Sequence, residues 1–131
     1  MTPVARLVVD GDDVVVRLTL RERLLARRRE VRVPLAAVRE VTVQPDWWRA
    51  LRGERHAGRR LPGRFCLGEW RHTRGRDFVA VRESGPVVLV GLWPPAGYAR
   101  LAVSAPDAEA AARAVRRLLD DPVGTPTPLD T

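Results

Sequence analysis

Short valine-rich runs, each cut off by a gap holding glycine or proline, recur from one end of this sequence to the other. The first two runs, 4–9 and 14–20, flank Asp10-Gly11-Asp12-Asp13, a turn signal of the Asp-Gly type that predicts a hairpin. In its second arm Val14, Val16, Leu18 and Leu20 alternate with Val15, Arg17 and Thr19, the period of a strand with one face buried. Strand character returns at Val31, Val33 and Leu35, then at Val38, Val41 and Val43, with a turn around 34–37. Four further strands are expected over 65–71, 77–82, 86–93 and 98–104, separated by His72-Thr73-Arg74-Gly75, Glu83-Ser84-Gly85 and Pro94-Pro95-Ala96-Gly97. Strands this short and this closely spaced point to an antiparallel barrel or two orthogonal sheets of seven to eight strands, a mainly β fold rather than alternating βαβ units.

Two stretches carry a helical signature instead. Residues 21–29 (RERLLARRR) hold no β-branched residue, and one or two helical turns are expected there, after the second strand. Near the C-terminus Ala108, Ala111, Ala112, Val115, Leu118 and Leu119 form one apolar stripe. Pro106, Asp107 and Glu109 suit the positive end of that helix, and Arg113, Arg116 and Arg117 its negative end. Beyond Asp120 the sequence is proline-rich and aperiodic, so the reading is one domain over 1–120 followed by a disordered tail over 121–131.

The net charge of +7 and pI near 11.3 direct attention to acidic partners: nucleic acid, an anionic membrane or an acidic protein. All 23 basic residues are arginine, and lysine, isoleucine and asparagine are absent together. Those three have AT-rich codons, so a GC-rich genome accounts for arginine in place of lysine, while the excess of positive over negative charge still calls for a partner. The longest apolar run, 86–95, falls well short of the ~20 residues a bilayer span needs. Two aspartates interrupt the N-terminus before any signal-peptide-like stretch, and the single cysteine, Cys66, forms no internal disulfide. The expected location is the cytoplasm, with peripheral attachment to the inner membrane face as a variant.

The run VRVPLAAVREVTV, followed by WRALRG, RLPGRFCLGEW, RDFVAV and a closing YARLAVSAPDAEAAARAV, resembles the small bacterial pleckstrin-homology-like (PH-like) domain proteins of actinobacterial type. The resemblance runs in order over roughly residues 4 to 119. It implies a barrel whose open end is covered by the last helix, and a role as an interaction platform. Where that family often reads closer to PGTGLPG, this chain has Ala57-Gly58-Arg59-Arg60-Leu61-Pro62-Gly63, with two arginines in place of small residues.

The candidate site is the stretch 46–64, expected as a long loop. It holds Trp47, Trp48, Arg49, Arg52, Arg55, Arg59, Arg60 and Arg64, offset only by Asp46 and Glu54. Indole rings beside arginines suit an anionic lipid surface, an acidic protein or the bases and phosphates of a single strand. The plain reading is that one tryptophan folds back as a lid over a solvated basic surface. Gly53, Gly58 and Gly63 offer a weak anion-nest signal without a phosphate-loop pattern. A second basic run, 21–32, suits a solvated face or a partner contact.

His56, Cys66, His72 and Asp77 match no zinc spacing, with Cys66 and His72 about 20 Å apart on a straight strand, so no metal or cofactor is expected. His72 with Asp77 is the sole acid–base pair to weigh, and Ser84 and Ser104 lie in no nucleophile-elbow context. The function expected is therefore a non-catalytic module that binds an acidic protein or anionic membrane through 46–64. Nucleic-acid binding is the alternative, and a small enzyme the less favoured third.

Overall fold

The computed structural model describes residues 5–19, 30–94 and 96–120. Nine strands form two sheets among these residues. β1 (Arg6–Asp10), β2 (Asp13–Arg17) and β3 (Glu30–Pro34) make a three-stranded antiparallel meander. β4 (Val38–Gln44), β5 (Glu54–Leu61), β6 (Phe65–His72), β7 (Gly75–Arg82), β8 (Val87–Leu92) and β9 (Arg100–Ser104) make a six-stranded sheet in the order β4-β8-β9-β7-β6-β5. The helical turns expected over 21–29 and the tail over 121–131 lie outside the described residues.

The expected hairpin is present: Asp10 pairs with Asp13 across a two-residue turn, and Gly11 takes the φ of 62° that such a turn requires. The mainly β class, built as two sheets with a C-terminal helix, holds, whereas the barrel and the all-antiparallel pairing of seven to eight strands do not. The two sheets stay open, the strands number nine, and β7 and β9 pair in parallel, Asp77 opposite Arg100 through Ala80 opposite Val103. That parallel pair follows from the placement of β9 between β7 and β8. β8 is antiparallel to β9 and does not fold back directly onto β7, so β9 fills the gap running the same way as β7.

Side-chain alternation gives the six-stranded sheet two apolar faces. Leu67, Phe78, Val88, Val90, Leu101 and Val103 line one face and join Val14, Val16, Val31 and Val33 of the small sheet in the main core. Burying each such side chain contributes roughly 1.5–3 kcal/mol. The helix α1 (Ala108–Asp120) closes this core. Asp107 Oδ1 caps it by accepting the Ala110 N–H at 3.1 Å, and Ala108, Ala112 and Val115 of the expected stripe are buried, with Ala111, Leu118 and Leu119 half-buried behind them. Arg116 ties it to β4 by donating from Nε to the Val41 carbonyl at 2.9 Å.

The opposite face carries a smaller cluster: Cys66, Trp70, Val79, Val81, Val87, Leu89 and Ala102. What covers it is the start of the stretch 46–64.

Candidate functional site

The stretch 46–64 is not one loop. A 3-10 turn (Trp47–Ala50) follows Gln44, whose Oε1 accepts the Asp46 N–H at 3.2 Å, and Asp46 pairs with Arg49 at 3.5 Å. Ala50 is fully buried and Trp47 and Leu51 pack beside it on the small cluster, so one tryptophan does fold back as a lid. Trp48 stands edge-on to Trp47 with ring centroids 6.0 Å apart and remains 56% exposed. The turn touches β4 and β8; residues 51–53 then cross the face to the far side, where the chain enters β5.

Arg52 sits midway along this strap and forms a two-pronged hydrogen bond with Asp77 of β7, Nε to Oδ2 at 2.8 Å and Nη2 to Oδ1 at 2.7 Å. Asp77 is 0% exposed. A carboxylate taken out of water needs such partners, because losing one leaves an uncompensated charge. Arg100, opposite Asp77 in the parallel register, brings Nε to 3.6 Å of Oδ2 and donates from Nη2 to the Ala50 carbonyl at 2.6 Å. His72 Nδ1 accepts the Arg74 N–H at 3.2 Å, which leaves Nε2 to donate to Asp77 Oδ1 at 3.0 Å. Both ring nitrogens are engaged. The pair singled out as an acid and base is therefore part of a buried tie between strap and sheet.

A second carboxylate organises the other end of the stretch. Glu83, its side chain 5% exposed, accepts from Arg60 Nε at 2.9 Å, from the Gly63 N–H at 2.8 Å and from Cys66 Sγ at 3.4 Å. Burial works against its charge, but the hydrogen bonds from Arg60, Gly63 and Cys66 outweigh burial and hold its pKa below the ordinary value. Burial first, and then the neighbouring Glu83, push the Cys66 thiol up to about 12, so it stays protonated as a small core residue.

Between these anchors lies β5, a strand where the sequence predicts a loop because ERHAGRRL has a single large apolar residue, at its end, and no β-branched residue. It pairs antiparallel with β6 from Glu54 opposite Arg71 to Leu61 opposite Phe65, with a bulge at His56. Gly58 (φ 101°) faces Gly68 (φ 135°), and a Cβ on either would run into the other strand's backbone. Two glycines thus let the strands close up. Gly53 (φ 75°) is similarly packed on the Arg71 carbonyl, so Gly53 and Gly58 serve close approach rather than an anion nest. β5 ends the sheet, and its outward backbone groups have no strand partner among the described residues.

The eight predicted residues are therefore spread across the sheet. Trp47, Trp48 and Arg49 lie by β4 and β8, Arg52 is held by Asp77 and Arg60 by Glu83. Arg55, Arg59 and Arg64 are exposed at the β5 edge and its turn, with no carboxylate partner among the described residues. Of the second basic run, Arg32 bridges Asp10 at 3.0 Å and Asp13 at 2.8 Å; 21–29 lie outside the described residues. His56 is exposed on β5 while Cys66 and His72 turn to different carboxylates, and no group of three or more His, Cys, Asp or Glu among the described residues is placed to hold a metal.

One feature escaped sequence reasoning. Where β6 and β8 end and β7 and β9 begin, an open cleft of about 780 Å³ is walled by Arg39, Arg52, Arg71, Arg74, Arg76 and Arg100. These arginines come from positions 39 to 100, and only their strand register brings them together. Compared with family models, curated proteins and solved structures, the chain matches none.

Proposed function

We propose that this protein is a non-catalytic interaction module that takes up an acidic, extended segment of a partner protein along β5. One observation carries the reading: an eight-residue strand, exposed along nearly its whole length, ends the sheet with one edge unpaired among the described residues, and two of its arginines, Arg55 and Arg59, together with Arg64 in the adjoining turn, have no carboxylate partner among them. An added strand would gain main-chain hydrogen bonds from that edge, and its side chains would supply the charge complement. Arg55 shares the face of its pair partner Trp70 and Arg59 that of Leu67, so the favoured segment has carboxylates on both of its faces. A second copy of the chain fits poorly. In the symmetric antiparallel register centred on Ala57 and Gly58 it would set Arg55 against Arg60 and His56 against Arg59.

The kinship with PH-like modules, which commonly act as interaction platforms, and the cytoplasmic location belong to this proposal. Among the described residues no helix is long and apolar enough to cross a membrane.

The test is a titration of isotope-labelled protein with a peptide of alternating glutamate and valine, read by amide shifts. The reading expects saturable shifts along β5, lost in Arg59→Glu/Arg64→Glu. It fails if the peptide leaves β5 unmoved, and equally if β5 responds only to anionic vesicles or to a single-stranded oligonucleotide.

A further inference from the structure

The arginine cleft lies at one end of the covered face, away from the Arg59 and Arg64 end of β5, and its charges do not balance. Among the described residues three carboxylates serve its six guanidiniums. Glu40 pairs with Arg39 at 2.9 Å; Glu69 is shared by Arg71 at 3.1 Å and Arg76 at 2.9 Å; Asp77 is shared by Arg52 and Arg100. Arg74 has no ion-pair partner among the described residues. Three positive charges are left over in a concave space, where low-dielectric walls strengthen their pull on an anion.

Arg76 and Arg100 are also held in place before any ligand arrives. Arg76 donates from Nε to the Gly97 carbonyl at 2.8 Å and lies over the Tyr98 ring, its Cζ 4.9 Å from the centroid. Arg100 is 15% exposed, and its Nε is buried without a hydrogen-bond partner. Burial and then the nearby Arg52 lower the Arg100 pKa against the opposing pull of Asp77, so an incoming anion would relieve an existing repulsion. Gly91 forms part of the lining, where a Cβ would crowd the Arg39–Glu40 pair, with Glu40 Cγ at 3.1 Å. Leu89 and Leu92 add an apolar part to the lining.

We infer that this cleft is a binding site for a small organic molecule bearing two or three phosphate groups. The surplus of three charges sets the charge of the ligand, and forked guanidiniums on several walls suit phosphate oxygens. The volume is within the range of small-molecule sites and far exceeds a bare phosphate, and the leucines call for a carbon skeleton beside the anionic groups.

Calorimetric titration with adenosine triphosphate, pyrophosphate and inorganic phosphate tests the site, with vesicles carrying a phosphorylated headgroup as a further arm. Saturable one-to-one binding of adenosine triphosphate is expected, with inorganic phosphate much weaker. Arg71→Ala/Arg74→Ala should weaken it by about tenfold or more, since both side chains are exposed and each can offer charged hydrogen bonds to a phosphate. The charge-matched Arg59→Ala/Arg64→Ala should stay within about twofold, because rim charges remote from a site matter little. The inference is overturned if no soluble phosphate binds, if both double variants lose affinity equally, or if only the vesicles bind. Because the β5 variant is the control here, failure of the cleft leaves the strand-addition reading standing, and the reverse holds.

Discussion

Arg52 and Arg59 are the same side chain a few residues apart, yet the fold uses them in opposite ways. Arg52 lies under the strap with both prongs on a fully buried aspartate; Arg59 projects from an edge strand with no carboxylate partner among the described residues. The same contrast separates Arg60, held by Glu83, from Arg64 in the adjoining turn. Basic composition alone therefore says little about which arginines bind. What decides is whether a low-exposure carboxylate sits within reach, because such a group must be compensated whereas a solvated guanidinium need not be.

That contrast ranks the substitutions. Asp77→Asn should do the most damage, about 3 kcal/mol by urea unfolding, since it leaves Arg52 and Arg100 facing a neutral group in the sheet interior. Gly58→Val should come next, costing about 1–3 kcal/mol locally through a β-branched residue at positive φ pressed against Leu67. Its signature is loss of amide protection along β5 while β7 to β9 stay protected.

Glu83→Gln should cost about 1 kcal/mol, modest because Arg60 is half exposed. The same group predicts a pH dependence. Its folded-state pKa lies below the ordinary value of 4.5, so its contribution is present above that value and is lost as the pH falls through 4.5 and past the lower folded-state value. Acid titration of stability should therefore be shallower in Glu83→Gln than in the native chain.

Much of the scaffold was legible before the structure. Valine runs bounded by Gly and Pro located eight of the strands, and the alanine and leucine stripe with Asp107 ahead of it located α1. β5 was not legible, because its strand state is imposed by register with β6 and by the paired glycines rather than by residues that favour strands. The parallel β7–β9 pair was hidden for a related reason: nothing local records which strand becomes the neighbour of which. The arginines show the same limit. Arg52 finds its carboxylate 25 residues on and Arg60 23 residues on, distances at which sequence shows abundance of charge but not its pairing. Trp47 as a lid was readable from the tendency of tryptophan to be buried; the six-arginine cleft, assembled from strand ends, was not.

The division between structural and free arginines is tested most directly by urea denaturation of Arg52→Ala beside Arg59→Ala/Arg64→Ala. The account predicts a loss of about 3 kcal/mol in the first, where a buried carboxylate loses its fork, and under about 0.5 kcal/mol in the second despite twice the charge removed. Equal losses, or a larger loss in the edge variant, would contradict it.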